Sequence, residues 1–439
     1  MTVMSNPTQT HAAKPLSVYT VLLWCSFPIL LLVSIYGASQ HMKSNASVFD
    51  TQDGFGLAIQ GIVQHHRLGM IDQTYGWWCF ACRMPIVPFL GAASYWVSPK
   101  IAVFLVLKNL IFWSLWIYAL FLLKRRYSIP DKWALVTVLL LLLAPYDVSI
   151  AGWVDAEEGF LFALIALLFS LLLTLEGPLS AAAAGLVMAT IYLTKSSMLP
   201  LCVTASIWIV AKYWWNPRIA VVPLMCLGLA IFGWGIYVQA VSGVFAFGTD
   251  ESSWNGWNFY KGNNPYAYSM YPRISLDQLD SDNEAHRLLP FVPVRNEWEL
   301  SRAQAALALR YIRENPGGVL KMDLKKLFVA CCDLKESPEK DPGHTRVGII
   351  TSGLVNHLAL ASVFLLVIAN VRRRQASQAE ILAVLLTAAY LLPYFAGFLY
   401  MRHMAPIYGV VALTAAVQLT RLRAPVPDVG VPFRRSWAG

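Results

Sequence analysis

Long, nearly unbroken apolar blocks alternate along this chain with polar stretches. The blocks cover residues 16 to 38, 101 to 123, 133 to 150, 159 to 175, 179 to 195, 197 to 212, 219 to 241, 346 to 369, 379 to 399 and 404 to 420. Inside them the apolar residues neither mark out one helical face nor alternate as in a half-buried strand. A helix crosses the hydrocarbon core of a bilayer in about 20 residues, whereas a membrane barrel would show alternating segments of about 10. The pattern therefore predicts an all-α polytopic membrane protein with about ten transmembrane helices. The first block is too long for the apolar region of a secretory signal, and Tyr36 spoils the small-residue cleavage pattern, so it reads as an uncleaved span.

Charge orients these spans. Threading them alternately places Lys14, Lys124, Arg125, Arg126, Lys132, Lys212, Arg218, Arg372, Arg373, Arg374, Arg421 and Arg423 on one side. The positive-inside rule assigns that side, and with it both termini, to the cytoplasm. The threading needs residues 179 to 212 to be two spans joined near Lys195 and Pro200, because one long helix would put Arg372 to Arg374 outside. Residues 84 to 97 are apolar too, but their two prolines and short length suit a juxtamembrane or re-entrant segment.

Two larger segments then lie outside, 39 to 100 and 242 to 345, and both are expected to carry juxtamembrane helices. The organisation is a transmembrane core over 1 to 241 that includes the first loop, a loop region over 242 to 345, C-terminal spans over 346 to 423, and a cytoplasmic tail over 424 to 439. In the second outside segment, 296 to 315 reads as a helix with Asn296 as its cap and Pro316-Gly317-Gly318 as its end. Residues 319 to 332 mix lysines with leucines as a helix lying on a membrane surface does.

Composition agrees: of 439 residues, 57% are hydrophobic and 13% charged, which excludes an ordinary soluble domain. The net charge of +9 sits at the ends of apolar blocks, where membrane anchoring accounts for it without nucleic acid. Seven cysteines give neither a disulfide framework nor a zinc pattern. A bridge between Cys79 and Cys82 stays open in an oxidising compartment. Nucleotide loops, HExxH and GxSxG are missing from the sequence, which argues against nucleotide-driven and zinc-protease chemistry.

The polar residues beside the spans are the candidates for chemistry. Asp50 and Asp53 follow the first span; they are either solvated loop acids or a base held near the bilayer surface for an acceptor hydroxyl. Asp155, Glu157 and Glu158 precede the fourth span, as helix N-terminal charges or as an acceptor or metal site. Lys195, with Arg402 and His403, sits between apolar blocks, where a cation either snorkels to headgroups or gathers to hold a phosphate. Arg83, in the turn before Met84-Pro85, is placed to join them. The loop with Trp257, Asn258, Tyr260 and Asn263 offers aromatic faces and amides that suit sugar rings, although membrane interfaces collect the same aromatics.

In order along the chain, several of these segments resemble the GT-C superfamily, which includes protein mannosyltransferases and the aminoarabinose transferases of lipid A. The resemblance rests on Phe49-Asp50-Thr51-Gln52-Asp53-Gly54-Phe55, Arg83-Met84-Pro85-Ile86-Val87-Pro88-Phe89-Leu90, the acids 155 to 158, Leu193-Thr194-Lys195-Ser196-Ser197, the Gly262-Asn263-Asn264-Pro265 loop, the helix from Glu297 and Arg402-His403-Met404-Ala405-Pro406. It implies a multi-pass enzyme of the bacterial inner membrane with a periplasmic active site. The donor would be a polyprenyl-phosphate sugar; the acceptor would be an envelope glycan, lipid or protein, and membrane lipids would surround the enzyme. The sugar would be transferred with inversion, with no cofactor required and a divalent metal optional.

The family's first-loop acid is the base. Here the usual Asp-Glu pair is replaced by Asp53-Gly54, and the following helix aligns to favour Asp53 over Asp50. By the same resemblance Lys195, Arg83, Arg402 and His403 would take the donor phosphate, and Asp155 or Glu158 would lie near the acceptor. A transporter or flippase of lipid-linked saccharides is the rival class; it would show repeated halves, and the sequence has no such symmetry. A polymerase or ligase of lipid-linked saccharides is separated only through the first-loop acids.

Overall fold

The computed structural model describes residues 17–39, 46–51, 54–71, 78–80, 83–144, 148, 157–249, 256–271, 296–332, 346–397, 399 and 401–422. The chain is an all-α polytopic membrane protein. Helix α1 (Val18–Ser39) turns Val18, Leu32 and Tyr36 outward and buries Leu23, Phe27 and Leu30. An apolar outer face of this kind suits contact with lipid. A 3₁₀ turn at Val48–Asp50 leads into α2 (Phe55–His65), a two-residue hairpin of β1 (Met70–Ile71) and β2 (Trp78–Cys79) with Met70 opposite Cys79, and α3 (Ile86–Val97). Cys79 is disulfide-bonded; Cys82, the partner its CxxC spacing suggested, lies outside the described residues.

Next come α4 (Ile101–Tyr127), α5 (Asp131–Leu142), α6 (Glu158–Thr174), α7 (Pro178–Thr194), α8 (Leu199–Tyr213) and α9 (Pro217–Ser242). The short α10 (Trp257–Gly262) and α11 (Ala267–Met270) precede α12 (Glu297–Glu314) and α13 (Pro316–Cys332). Finally α14 (Arg346–Arg372), α15 (Gln378–Ala396) and α16 (Ala405–Arg421) close the bundle. Among the described residues, five stretches are long and apolar enough to cross a membrane: Val18–Ser39, Ile101–Tyr127, Ser196–Tyr213, Pro217–Ser242 and Gln378–Ala396. Ile86–Val97, Glu158–Thr174, Pro178–Thr194 and His357–Arg372 are apolar but shorter.

Each apolar block of the sequence coincides with a helix. The block at 133 to 150 falls short, since α5 ends at Leu142. Pro145 follows, and proline disfavours helical backbone in the residue before it. At 179 to 212 there are two helices: Lys195 is extended at φ −151° and ψ 107°, a 3₁₀ turn covers Ser196–Met198, and Pro200 stands in the first turn of α8, where a proline needs no intrahelical partner. The α3 segment forms only 12 helical residues, short of a crossing.

Helix α6 is the axis of the bundle. It is buried at every position from Glu158 to Leu173 and packs against α4, α16 and α7, as a helix apolar all round must. Its first residue is therefore held by the whole fold.

In the second outside segment, the Asn296 side chain caps α12 by accepting from the Trp298 and Glu299 amides at 3.1 and 3.0 Å. Pro316 both ends α12 and opens α13. Helix α13 exposes Leu320, Leu324, Leu327 and Phe328 along one stripe while burying Lys326, whose ammonium is 2.8 Å from the Phe395 carbonyl and 2.9 Å from Asp323. Burial pulls the Lys326 pKa down, against the pull of Asp323. Buried Glu297 accepts from the Phe80 amide at 3.2 Å, which ties the two outside segments together.

Candidate active site

The start of α6, the break between α7 and α8, the end of α15 and the turn before α16 converge on one cluster of polar side chains. Each arrives for a local reason. Glu157 and Glu158 open α6, where the positive end of the helix dipole favours acids. Lys195 is the one residue between α7 and the 3₁₀ turn. Tyr390 and Tyr394 share a face of α15 one turn apart, and His403 lies in the turn Met401–Met404 that leads into α16.

Lys195 Nζ is 3.0 Å from Glu157 Oε2 and 3.3 Å from Glu158 Oε1, and stands 5.5 Å from the centroid of the Tyr394 ring. His403 stacks on the same tyrosine, with ring centroids 4.4 Å apart and 28° between planes, and its Nε2 is 3.8 Å from Glu158 Oε1. The Tyr390 hydroxyl donates to the His403 carbonyl at 2.8 Å and lies 3.2 Å from the Tyr394 hydroxyl. Ser196 Oγ accepts from the Thr249 amide at 3.4 Å, so the segment leaving α9 closes over the turn.

The Glu157 and Glu158 carboxylates and the face of the Tyr394 ring thus surround the Lys195 ammonium. Burial pushes the Glu157 carboxyl up, against the pull of Lys195 and Arg83. With both cations and both acids ionised, the four charges cancel. An ionic cluster of this kind, with Glu158 buried and Lys195 and Glu157 partly exposed, is weak evidence for stability; gathered acids and bases with a perturbed member mark a candidate working site.

The cleft is an apolar groove of about 920 Å³ between α2, α3, α7 and α9. Ile62, Leu68, Phe89, Trp234 and Tyr237 form much of it. Its wall includes Pro85, two residues after Arg83, and Leu193, two residues before Lys195. Phe89, Trp96 and Leu229 on its lining are exposed, so the groove opens on the apolar outside of the bundle. A hydrocarbon chain fits this lining, and the cations near it suit an anionic head.

Of the candidates read from the sequence, the structure brings Lys195, Glu158 and His403 into one cluster, with Arg83 close enough for its charge to act on Glu157. Arg83 also stands 5.0 Å over the Phe55 ring. Gly54, which takes a left-handed φ of +75°, lies against it: a Cβ there would be 3.7 Å from Arg83 Nε. Asp53, Asp155 and the side chain of Arg402 lie outside the described residues. Asp50 is exposed, and its carboxylate accepts from the Ser47 amide at 2.7 Å as part of the cap on the 3₁₀ turn.

In the aromatic loop, Trp257 and Asn258 are half-buried and Tyr260 is buried. Lys261 Nζ stands 4.9 Å over the Trp257 ring. Buried Asn263 directs its amide to the Phe259 and Ala396 carbonyls at 2.9 and 2.6 Å, and so fastens this loop to the end of α15 just past Tyr394. Gly262 completes the fastening, since a Cβ there would meet the Gly397 carbonyl oxygen at 1.8 Å.

Sequence reasoning missed three features. Glu157 was placed in an acidic loop but not on Lys195. Tyr390 and Tyr394 carried no signal that separates them from interface aromatics. Lys108, fully buried in α4 with its ammonium 5.7 Å from the Phe160 ring centroid, did carry one, because a lysine inside an apolar block is costly and rarely idle. Among the described residues, no three His, Cys, Asp or Glu side chains gather as a metal site.

No protein-family profile matches the chain, and no curated protein does. Among solved structures it is similar to ArnT from Cupriavidus metallidurans bound to undecaprenyl phosphate, at 15% identity, and to the same protein in the apo state, at 14%. Both alignments cover 92% of this chain and 78% of the other, with a TM-score of 0.39.

Proposed function

We propose that this chain is a membrane glycosyltransferase of the GT-C kind, moving a sugar from a polyprenyl-phosphate carrier to an envelope glycan, lipid or protein at the periplasmic face of the bacterial inner membrane. The observation that carries the reading is the pairing of a largely apolar, lipid-facing groove with two half-buried cations that adjoin its wall along the chain: Leu193, two residues before Lys195, and Pro85, two residues after Arg83, line it. A polyprenyl chain lies in the groove and its phosphate meets Lys195 and Arg83, with Arg402 and His403 adjoining.

In this reading Asp53, the residue before Gly54, takes the proton from the acceptor. The acceptor oxygen attacks the anomeric carbon from the side opposite the phosphate, the bond from that carbon to the phosphate oxygen breaks, and its electron pair stays on the lipid phosphate. Lys195 and Arg83 stabilise the charge that grows there. The acceptor is received between the two outside segments, with half-buried Trp257 and Asn258 on the second of them and Asp155 assigned to it from the sequence. These steps need no cofactor, and a divalent metal is optional to them.

The test is release of lipid phosphate from polyprenyl-phosphate sugars by membranes carrying the protein, with an envelope extract as acceptor. Removing a stabilising cation costs about 10²- to 10³-fold where it acts on the developing charge, and removing a general base about 10²- to 10⁴-fold. Lys195→Gln and Asp53→Asn are therefore expected to lose at least about a hundredfold in rate while eluting as monodisperse protein in detergent. Rates within threefold of wild type for both variants overturn the proposed roles, and no release by the wild-type protein with any sugar overturns the reading.

A further inference from the structure

Lys195 is not waiting bare for a phosphate. Its ammonium is already held by two carboxylates at 3.0 and 3.3 Å, and the charge of Arg83 also acts on Glu157. An anion arriving at Lys195 has to displace at least one of these acids, and its own charge then adds to two carboxylates with little access to water, their side chains 11% and 7% exposed. Unpaired charge in such a place is far more costly than a proton taken from solvent.

We propose that anion binding at this site is proton-coupled: Lys195 exchanges Glu157 for the phosphate of the ligand, and Glu157 takes up one proton as it is released. Glu157 is singled out over Glu158 by its surroundings. Glu158 is also faced by His403 Nε2 at 3.8 Å, a close partner for its charge when the imidazole is protonated, whereas the ion pair of Glu157 within 4 Å among the described residues is with Lys195 and Arg83 acts on it from further away. Glu157 stands just before α6, and the groups acting on it are Lys195, Arg83 and Glu158. The other titratable groups around the pair are Tyr394 and Tyr390 from α15, His403 from the turn before α16, and Lys108 from α4, which faces Phe160 one turn further into α6. Burial already raises the Glu157 carboxyl with Lys195 in place, and loss of Lys195 raises it further. The exchange makes the site selective for anions at lower pH and lets it release them as pH rises. The inference rests on the proposed phosphate-binding role, and adds to it where the compensating proton goes.

The probe is methyl farnesyl phosphate, a diester with no proton to lose or gain near neutrality, unlike a monoester whose second pKa is about 6. Calorimetric titration of the detergent-purified full chain, in two buffers of different protonation enthalpy at the same pH, counts protons directly. Wild type is expected to take up about one proton per ligand, and its Kd to weaken about tenfold per pH unit in the range where Glu157 is ionised. Glu157→Gln, which keeps the shape, is expected to bind with no proton uptake and a flat pH dependence. Binding by wild type without proton uptake overturns the exchange while leaving the phosphate site standing. Uptake that persists in Glu157→Gln overturns the assignment to Glu157, and failure of wild type to bind the diester at all overturns the phosphate reading and the exchange together.

Discussion

Lys195 shows how much a single charge shapes this protein. Placed at the centre of a bilayer helix, a lysine costs roughly 2.5 to 3.5 kcal/mol on insertion scales, and the chain meets that cost with two acids and an aromatic face. Lys195→Met is expected to destabilise the protein by about 3 to 5 kcal/mol at neutral pH, because two carboxylates lose their shared counter-charge. The sign with pH follows. Burial already raises the Glu157 carboxyl, and without Lys195 its folded-state pKa lies further above its unfolded one, so it supports the fold when protonated and stops doing so as pH rises. The deficit of Lys195→Met should therefore shrink toward pH 5 and grow toward pH 8, read as the melting temperature in detergent relative to wild type. A deficit that does not change with pH contradicts the pairing. Lys195 was legible in the sequence because an ammonium between apolar blocks needs a reason. Its partners were not, since Glu157 and Glu158 lie some 37 residues away in sequence and only the packing of α6 against α7 brings them together. Asn263 shows the opposite case: its amide suited a sugar by composition, and the structure spends it on two backbone carbonyls.

At the scale of elements, length and hydropathy located the helices, and proline and the stranded lysine located their breaks. What no pattern announced is how the outside segments seat on the bundle. The α10 loop meets the end of α15 backbone to backbone, with no room for a side chain at Gly262. Gly262→Ala is expected to cost about 1 to 3 kcal/mol through overpacking and to lower transfer activity, because the strain falls beside Tyr394. Gly317→Ala, where a Cβ meets nothing within 4 Å, is the matched control and should leave melting temperature and activity unchanged. Equal behaviour of the two variants contradicts a tight seat. Lys326 makes a second such fastening, from α13 to the Phe395 carbonyl. Its burial went unread because lysines on a surface helix normally point to water.

For the whole molecule, the two ends of α15 and α16 carry different work. At one end lie Tyr394 and His403 of the candidate site. At the other, fully buried Glu380 gathers Asn370 at 2.7 Å, Ser377 Oγ at 2.8 Å, Gln418 at 2.9 Å and Arg421 at 3.0 Å, tying α14, α15 and α16 into one unit. That knot fixes the helices whose far ends position the aromatic wall around Lys195. With α6 as a buried axis and apolar side chains over much of the exterior, the described residues present an apolar groove to the lipid side and a charged cluster whose Lys195 follows Leu193 of the groove's wall by two residues. The measurement that tests this account most directly is mass spectrometry of envelope glycans and lipids from a deletion strain complemented at matched expression with wild type, Lys195→Gln or Asp53→Asn. The account predicts that deletion removes a single sugar increment, that wild type restores it, and that neither variant does, with the missing mass naming the sugar. Loss of no increment on deletion, with a lipid-linked saccharide accumulating instead, would contradict it and point to transport or polymerisation.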